Sequence, residues 1–271
     1  MKLSISNIAW DLENDKKIYE LMRKYDYKGL EIAPTKVFFE NPYEKLGEAK
    51  IWKDKINKKY NLKISSIQSI WYGKKERLFG TDEERKELQN YTEKAIDFAK
   101  VIGCKNLVFG SPKNRNLEEN ESPDKALIFF KSIGEYAFKN DTVIGMEANP
   151  AIYNTNYIND TKSALELIKK VDSKGFLLNL DIGTVISNSE NIEEILGNVE
   201  YINHVHISEP WLKVIEKREI HKKLKSILKN ENYKGFISIE MAKVEKIEES
   251  KFLFGTYIKI VVYSDNKEKA M

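Results

Sequence analysis

The stretch INHVHISEP, residues 202–210, switches between polar and apolar side chains from His204 onward: His204, Val205, His206, Ile207, Ser208. A period of two is the signature of a β-strand with one apolar and one polar face. It places His204 and His206, two of the chain's three histidines, on the same polar face. Pro210 closes the run, because it has no N–H to offer a ladder.

Seven further short apolar runs share this character: KLSISNIA (2–9), KGLEIA (28–33), KISSIQS (63–69), KNLVFG (105–110), TVIGMEA (142–148), FLLNLDI (176–182) and FISIEM (236–241). Between them lie Lys- and Glu-rich stretches with helical spacing at 14–25, 43–60, 82–102, 123–139, 160–172, 190–199 and 216–230, and a last one near 244–262. Strand then helix, repeated eight times over about 250 residues, is the pattern of a (β/α)8 TIM barrel. A doubly wound sheet would carry a Gly-rich fingerprint after its first strand, and SNIAWDLEN (6–14) is not one. No linker or low-complexity tract interrupts the alternation, so residues 1–271 read as a single α/β domain.

The composition bounds the function classes. A chain of 271 residues with 41% hydrophobic content can bury a full core. Its 45 basic and 42 acidic residues interleave along the helical segments, as in KKIYELMRK and DEERKELQ, which describes solvated helix faces. That argues against a nucleic-acid partner, which needs a concentrated basic patch. The lone cysteine, Cys104 in VIGCKNLVF, excludes an intramolecular disulfide and a cysteine-based zinc site, and reads as a small buried thiol. No apolar run is long enough for a membrane span, and MKLSISNIAWD has no signal-peptide character. The expectation is a soluble, cytoplasmic protein.

Extending the alternation to neighbouring strands brings out a pattern. Gly145 pairs with Glu147, Asn179 with Asp181, His204 with His206, and Ser238 with Glu240 on polar faces; Ile144, Met146, Leu178, Leu180, Val205, Ile207, Ile237 and Ile239 take the opposite faces. Four consecutive strands thus end, on their inward side, in a residue able to ligate a metal: Glu147, Asp181, His206 and Glu240. Barrel interiors are ordinarily filled by branched apolar side chains. Three carboxylates and an imidazole pointing inward would repel and lose hydration unless a cation sat among them. This donor set suits Mn²⁺, Mg²⁺, Co²⁺ or Zn²⁺. His206 is the expected ligand, and His204, one layer deeper, is expected to pack behind it.

Across nearly the whole chain, and most closely from GMEANP through LNLDIGT and NHVHISEP to YKGFISIEM, the sequence resembles the xylose isomerase-like barrel superfamily. Within it the likeness is to sugar phosphate isomerases and epimerases, including the ketose 3-epimerases. That resemblance implies one divalent metal, Mn²⁺ foremost, on Glu147, Asp181, His206 and Glu240. It also implies a small carbohydrate substrate and a proton transfer beside a carbonyl, with Glu147 and Glu240 as base and acid through a metal-stabilised enediolate. Glu209, three residues after His206, matches a family position near the substrate. Two positions depart from the pattern: Thr184 stands where a His is common and Leu212 where an Arg is common.

Other residues at the expected active end invite a substrate role. Trp10 and Trp71 offer an apolar wall for a sugar ring, Glu31 a partner for a substrate hydroxyl or a metal-bound water, and Lys113 and Arg115 in GSPKNR a grip on phosphate or carboxylate. His221 reads as a surface or packing residue. Two alternatives stay open: an inosose-type dehydratase on the same metal site, and a barrel that binds sugar without turnover. An endonuclease IV-like enzyme would need histidines that SIQSIWYG and VFGSP do not supply. Relatives form dimers and tetramers, so a homo-oligomer is a further expectation, and the apolar run FLFGTYIKIVVY (252–263) would serve as an interface or a cover for the barrel bottom.

Overall fold

Each strand has one face that must leave water, and a closed barrel under helices is what accommodates eight such faces at once. The computed structural model describes residues 1–243. Its strands are β1 (Lys2–Ser6), β2 (Gly29–Ile32), β3 (Lys63–Ile67), β4 (Leu107–Phe109), β5 (Ile144–Met146), β6 (Phe176–Asp181), β7 (Ile202–Ile207) and β8 (Phe236–Ile239). They pair in parallel in chain order, and β8 returns to β1 to close a single TIM-barrel domain. The register sets Asp181 beside His206 and His206 beside Ser238. Leu30, Ile32, Leu107, Phe109, Ile144, Met146, Leu178, Leu180, Val205 and Ile207 are all buried in the apolar core. Burying each such side chain contributes about 1.5–3 kcal/mol.

The helices are α1 (Asp15–Lys24), the short α2 (Pro34–Val37), α3 (Leu46–Tyr60), α4 (Asp82–Ile102), α5 (Asp124–Lys139), α6 (Thr161–Val171), α7 (Ile182–Ser187) and α8 (Glu219–Asn230). Local chemistry sets their ends. Thr81 and Glu84 form a capping box at the start of α4, and Gly103 ends it at a φ of 70°. No helix among the described residues is long and apolar enough to cross a membrane.

One expected helix is displaced. Residues 190–199 form no α-helix; two 3₁₀ turns, Ile192–Ile195 and Val199–Tyr201, flank Gly197 at a φ of 71°. The helix after β6 begins at once instead, because the Asp181 carboxylate accepts from the Thr184 N–H and caps α7. The expected helix near 244–262 and the apolar run 252–263 lie outside the described residues.

The barrel interior is polar well beyond the four strands singled out by sequence. The Ser4 and Ser65 hydroxyls bond to each other, and Gln68 donates to Ser6 and to Glu31. Asn106 donates to Ser66 at 2.9 Å and to Asn179 at 3.3 Å. Each bond stabilises by only about 1 kcal/mol, but each unmade one would cost about 1–3 kcal/mol. The interior is therefore held as a connected network. Its Gly145 is a spatial necessity, since a Cβ there would lie 2.7 Å from Asn106 Oδ1 and 3.1 Å from Asn179 Cβ.

Cys104 is buried and donates to the Asn106 carbonyl at 3.2 Å. Burial pushes its thiol up to about 12. The folded chain keeps the proton while the unfolded chain releases it from about pH 9, so this contribution to stability is present below that pH and lost as pH climbs toward 12. Native protein at pH 8 should leave Cys104 untouched by a thiol-reactive chromophore, with one equivalent reacting in denaturant. Rapid native labelling would contradict the burial.

Candidate metal centre

The barrel brings the four strand-end residues together. Asp181 ends β6 and His206 lies in β7. Glu147 and Glu240 follow directly on β5 and β8, and their N–H groups extend the ladder to Phe109 O at 3.0 Å and Ile207 O at 2.9 Å. One ligand atom from each of the four lies within 4.8 Å of the others. His206 Nδ1 faces the carboxylates, 2.8 Å from Glu147 Oε1 and 3.1 Å from Glu240 Oε2.

Two of the carboxylates are aimed by hydrogen-bonding neighbours. Glu147 Oε1 accepts from Asn179 Nδ2 at 2.8 Å, and Oε2 from Asn149 Nδ2 at 3.4 Å. Asp181 Oδ2 accepts from the Thr184 N–H at 2.8 Å and lies 2.8 Å from the Thr184 hydroxyl, while Ser208 donates to Oδ1. Arg115, fully buried, donates to the Glu147 carbonyl and to Asn149 Oδ1, both at 2.9 Å. Burial lowers its guanidinium to about 10, which leaves it charged at neutral pH.

Electrostatics describes a site short of positive charge. Burial raises the carboxyls of Glu147, Asp181 and Glu240, and mutual repulsion, as between Glu147 and Asp181, adds to the rise. Burial alone would lower His206, but the surrounding Glu240, Glu31 and Glu147 carboxylates outweigh it and hold the ring well above its ordinary value. His206 Nδ1 is close to two carboxylates yet out of line with both, so this buried nitrogen has no hydrogen bond. An unpaired imidazole nitrogen facing three carboxylates is a donor set that a divalent cation fits.

The remaining expected site residues fall in different places. Glu209 is buried and clamped by the Arg218 guanidinium at 2.7–3.0 Å. Glu31 lies fully buried below the cluster, 2.9 Å from His206 Nε2. Trp10 and Trp71 are buried, donating to Asp15 and Thr92. Lys113 is exposed beside the buried Arg115. His221 is buried in α8, which makes it a packing residue. Thr184, at the position of the expected His, caps and bonds Asp181.

Asn149, Asn179 and Ser208 had not been assigned roles from sequence, although each stands two residues from a candidate ligand and so shares its face. Tyr153 and Trp211 had no such signal. They follow β5 and β7, meet edge to face at 5.3 Å, and are tied by the Trp211 N–H donating to the Tyr153 hydroxyl at 2.9 Å. Trp211 is 58% exposed, and it and Leu212 both have positive φ, 63° and 51°.

The xylose isomerase-like TIM barrel family matches residues 19–254. No curated protein matches the chain with significance. Among solved structures, the 3-keto-D-glucoside 4-epimerase of E. coli superposes with a TM-score of 0.73 at 16% identity, over 96% of this chain and 99% of that one. A D-psicose 3-epimerase from Clostridium cellulolyticum H10 gives 0.69 at 16%, over 89% and 85%. A probable 3-DHS dehydratase from Bacillus anthracis gives 0.69 at 14%, over 98% and 100%. At these identities the likeness is one of fold. The chain belongs to the xylose isomerase-like TIM barrel family.

Gly110 gives Glu147 its room: a Cβ there would lie 2.8 Å from Glu147 Oε2. Since that atom ends a flexible side chain, Gly110→Ala should fold and displace the carboxylate. Calorimetric titration with Mn²⁺ is expected to show affinity weakened about tenfold. Equal affinity would mean that Glu147 does not hold the ion.

Proposed function

We propose that this member of the xylose isomerase-like TIM barrel family is a divalent-metal-dependent sugar isomerase or epimerase that moves a proton beside a carbonyl. The observation that carries the reading is the placement of Glu147 and Glu240. They project from non-adjacent strands, β5 and β8, onto one imidazole nitrogen, at 2.8 and 3.1 Å. Two carboxylates so placed can address opposite faces of a planar intermediate.

Glu147, Asp181, His206 and Glu240 would hold the cation, Mn²⁺ foremost. When bound, it would supply charge for the carbonyl and neighbouring hydroxyl oxygens and so lower the cost of the enediolate. Glu147 is the base in this reading. Asn179 and Asn149 fix its direction, and burial raises its carboxyl toward the operating pH, where proton transfer is most effective. Glu240 returns a proton from the other side. Return to the same carbon gives an epimer, and return to its neighbour gives an aldose–ketose pair.

A small carbohydrate suits the site's mouth. Arg115, which sequence offered for a phosphate, is enclosed behind Glu147, and Arg218 is held by Glu209. The Tyr153–Trp211 pair presents an exposed aromatic surface of the kind a sugar ring packs on. A dehydratase on the same site is the second reading, supported by the fold shared with the probable 3-DHS dehydratase.

Incubation with Mn²⁺ in deuterated water against ketoses, keto-glycosides, ketose phosphates and inososes, followed by NMR, tests this. Deuterium beside the carbonyl, lowered by about 10²–10⁴ in Glu147→Gln, is the expected result. Loss of a hydroxyl would favour the dehydratase. Binding without exchange at any position would overturn the catalytic reading.

A further inference from the structure

Glu31 is wholly enclosed in the barrel interior, whereas Glu147 and Glu240 keep a little exposure. It lies on β2, across the barrel from β7, and is fully buried. Its Oε2 is 2.9 Å from His206 Nε2, and Gln68 donates to its Oε1 at 3.3 Å. His204 Nε2 lies 3.2 Å from the same Oε2 but out of line for a hydrogen bond. The two rings stand perpendicular, at 89°, with centroids 5.4 Å apart.

A carboxylate can only accept, so its partner nitrogen must carry a proton. A neutral imidazole has one N–H, and placing it at Nε2 leaves the lone pair at Nδ1. Nδ1 is the nitrogen that faces Glu147 and Glu240 and has no hydrogen bond. We infer that Glu31 is a positioning residue: from beneath the ring it holds the His206 Nε2–H and so presents Nδ1, as a lone-pair donor, to a divalent cation among Glu147, Asp181 and Glu240. This rests on the metal-dependent reading of the site and reassigns Glu31 from the substrate role expected from sequence. It also accounts for the pair of histidines. One supplies a ligand atom, and the other walls the pocket in which that ligand's carboxylate sits.

The hydrogen bond does two things for binding. It removes the alternative tautomer, in which Nδ1 would carry the proton and repel a cation. It also fixes the ring plane through an acceptor on the far side of the barrel, so the Nδ1 direction does not depend on the loops at the mouth. Outer partners of this kind typically change metal affinity 10–100-fold.

The test compares wild type with Glu31→Gln, which preserves shape, Glu31→Met, which removes the acceptor, and Gln68→Ala, which disturbs the same layer without touching the ring. Mn²⁺ affinity is measured by calorimetry, the His206 tautomer by ¹⁵N NMR of the Zn²⁺-loaded protein, and folding by the melting temperature of the metal-free protein. The expected result is a protonated Nε2 in wild type and affinity lowered 10–100-fold in Glu31→Met, with a smaller loss in Glu31→Gln, whose amide oxygen still accepts, and Gln68→Ala close to wild type. Should Glu31→Met fail to fold, the wild-type tautomer decides alone. Wild-type binding with unchanged affinity in folded Glu31→Met, or with the proton found on Nδ1, would overturn the role of Glu31 and leave the metal site standing. No cation bound by wild type would overturn the metal reading itself.

Discussion

Like charges crowded at the end of a closed barrel are the constraint around which this molecule is arranged. Glu147, Asp181 and Glu240 converge where burial makes a negative charge costly, and the His206 ring is the basic group set against them. The rest of the interior follows from that need. Asn179 and Asn149 give Glu147 its donors, Thr184 and Ser208 give Asp181 its own, and Glu31 gives the ring an acceptor. Beneath these, serines, Gln68 and Asn106 occupy space that branched apolar side chains fill in most barrels. A polar floor of this kind is tolerable because most of its members bond to one another, with Ser238 Oγ and His204 Nε2 left over.

Much of this was legible because the strands obey a period of two. Once INHVHISEP is read as a strand, His206 must face inward, and the same rule carries Glu147, Asp181 and Glu240 to the same side. What escaped depended on contacts made across the barrel or between loops. Glu31 and His206 are 175 residues apart in sequence, and no local pattern links them. Arg115 looked like a surface cation in GSPKNR, yet the chain folds its guanidinium inward onto the Glu147 carbonyl. The expected helix over 190–199 failed for a local reason with a distant cause: Asp181, recruited to the cluster, also caps α7 and starts that helix early.

The departures from the ketose 3-epimerase pattern take on physical meaning in the same terms. Thr184 does not leave a hole where a histidine is common; its N–H holds Asp181, and its hydroxyl, with one proton to give, lies 2.8 Å from both Asp181 Oδ2 and the Ala148 carbonyl. Leu212 belongs to a turn in which Trp211 and Leu212 adopt left-handed backbone. Such conformations persist where surrounding bonds over-determine them, here from Glu209 O and from Ala242 N–H on the Leu212 carbonyl. The chain brings Glu147, Asp181, His206 and Glu240 together and builds its entrance around Thr184 and the Trp211–Leu212 turn.

Arg115 carries a consequence for how such barrels diversify. Loops at the active end are usually regarded as exchangeable parts on a fixed scaffold. The loop after β4 does not have that freedom, because its arginine pins the main chain of β5 at Glu147 and holds Asn149 beside it. Replacing residues 110–116 wholesale would leave buried acceptors unpaired and free the Glu147 carboxylate to swing. Recombination between distant members of this fold would therefore have to move the β4 loop and the start of the β5 loop as one inherited block.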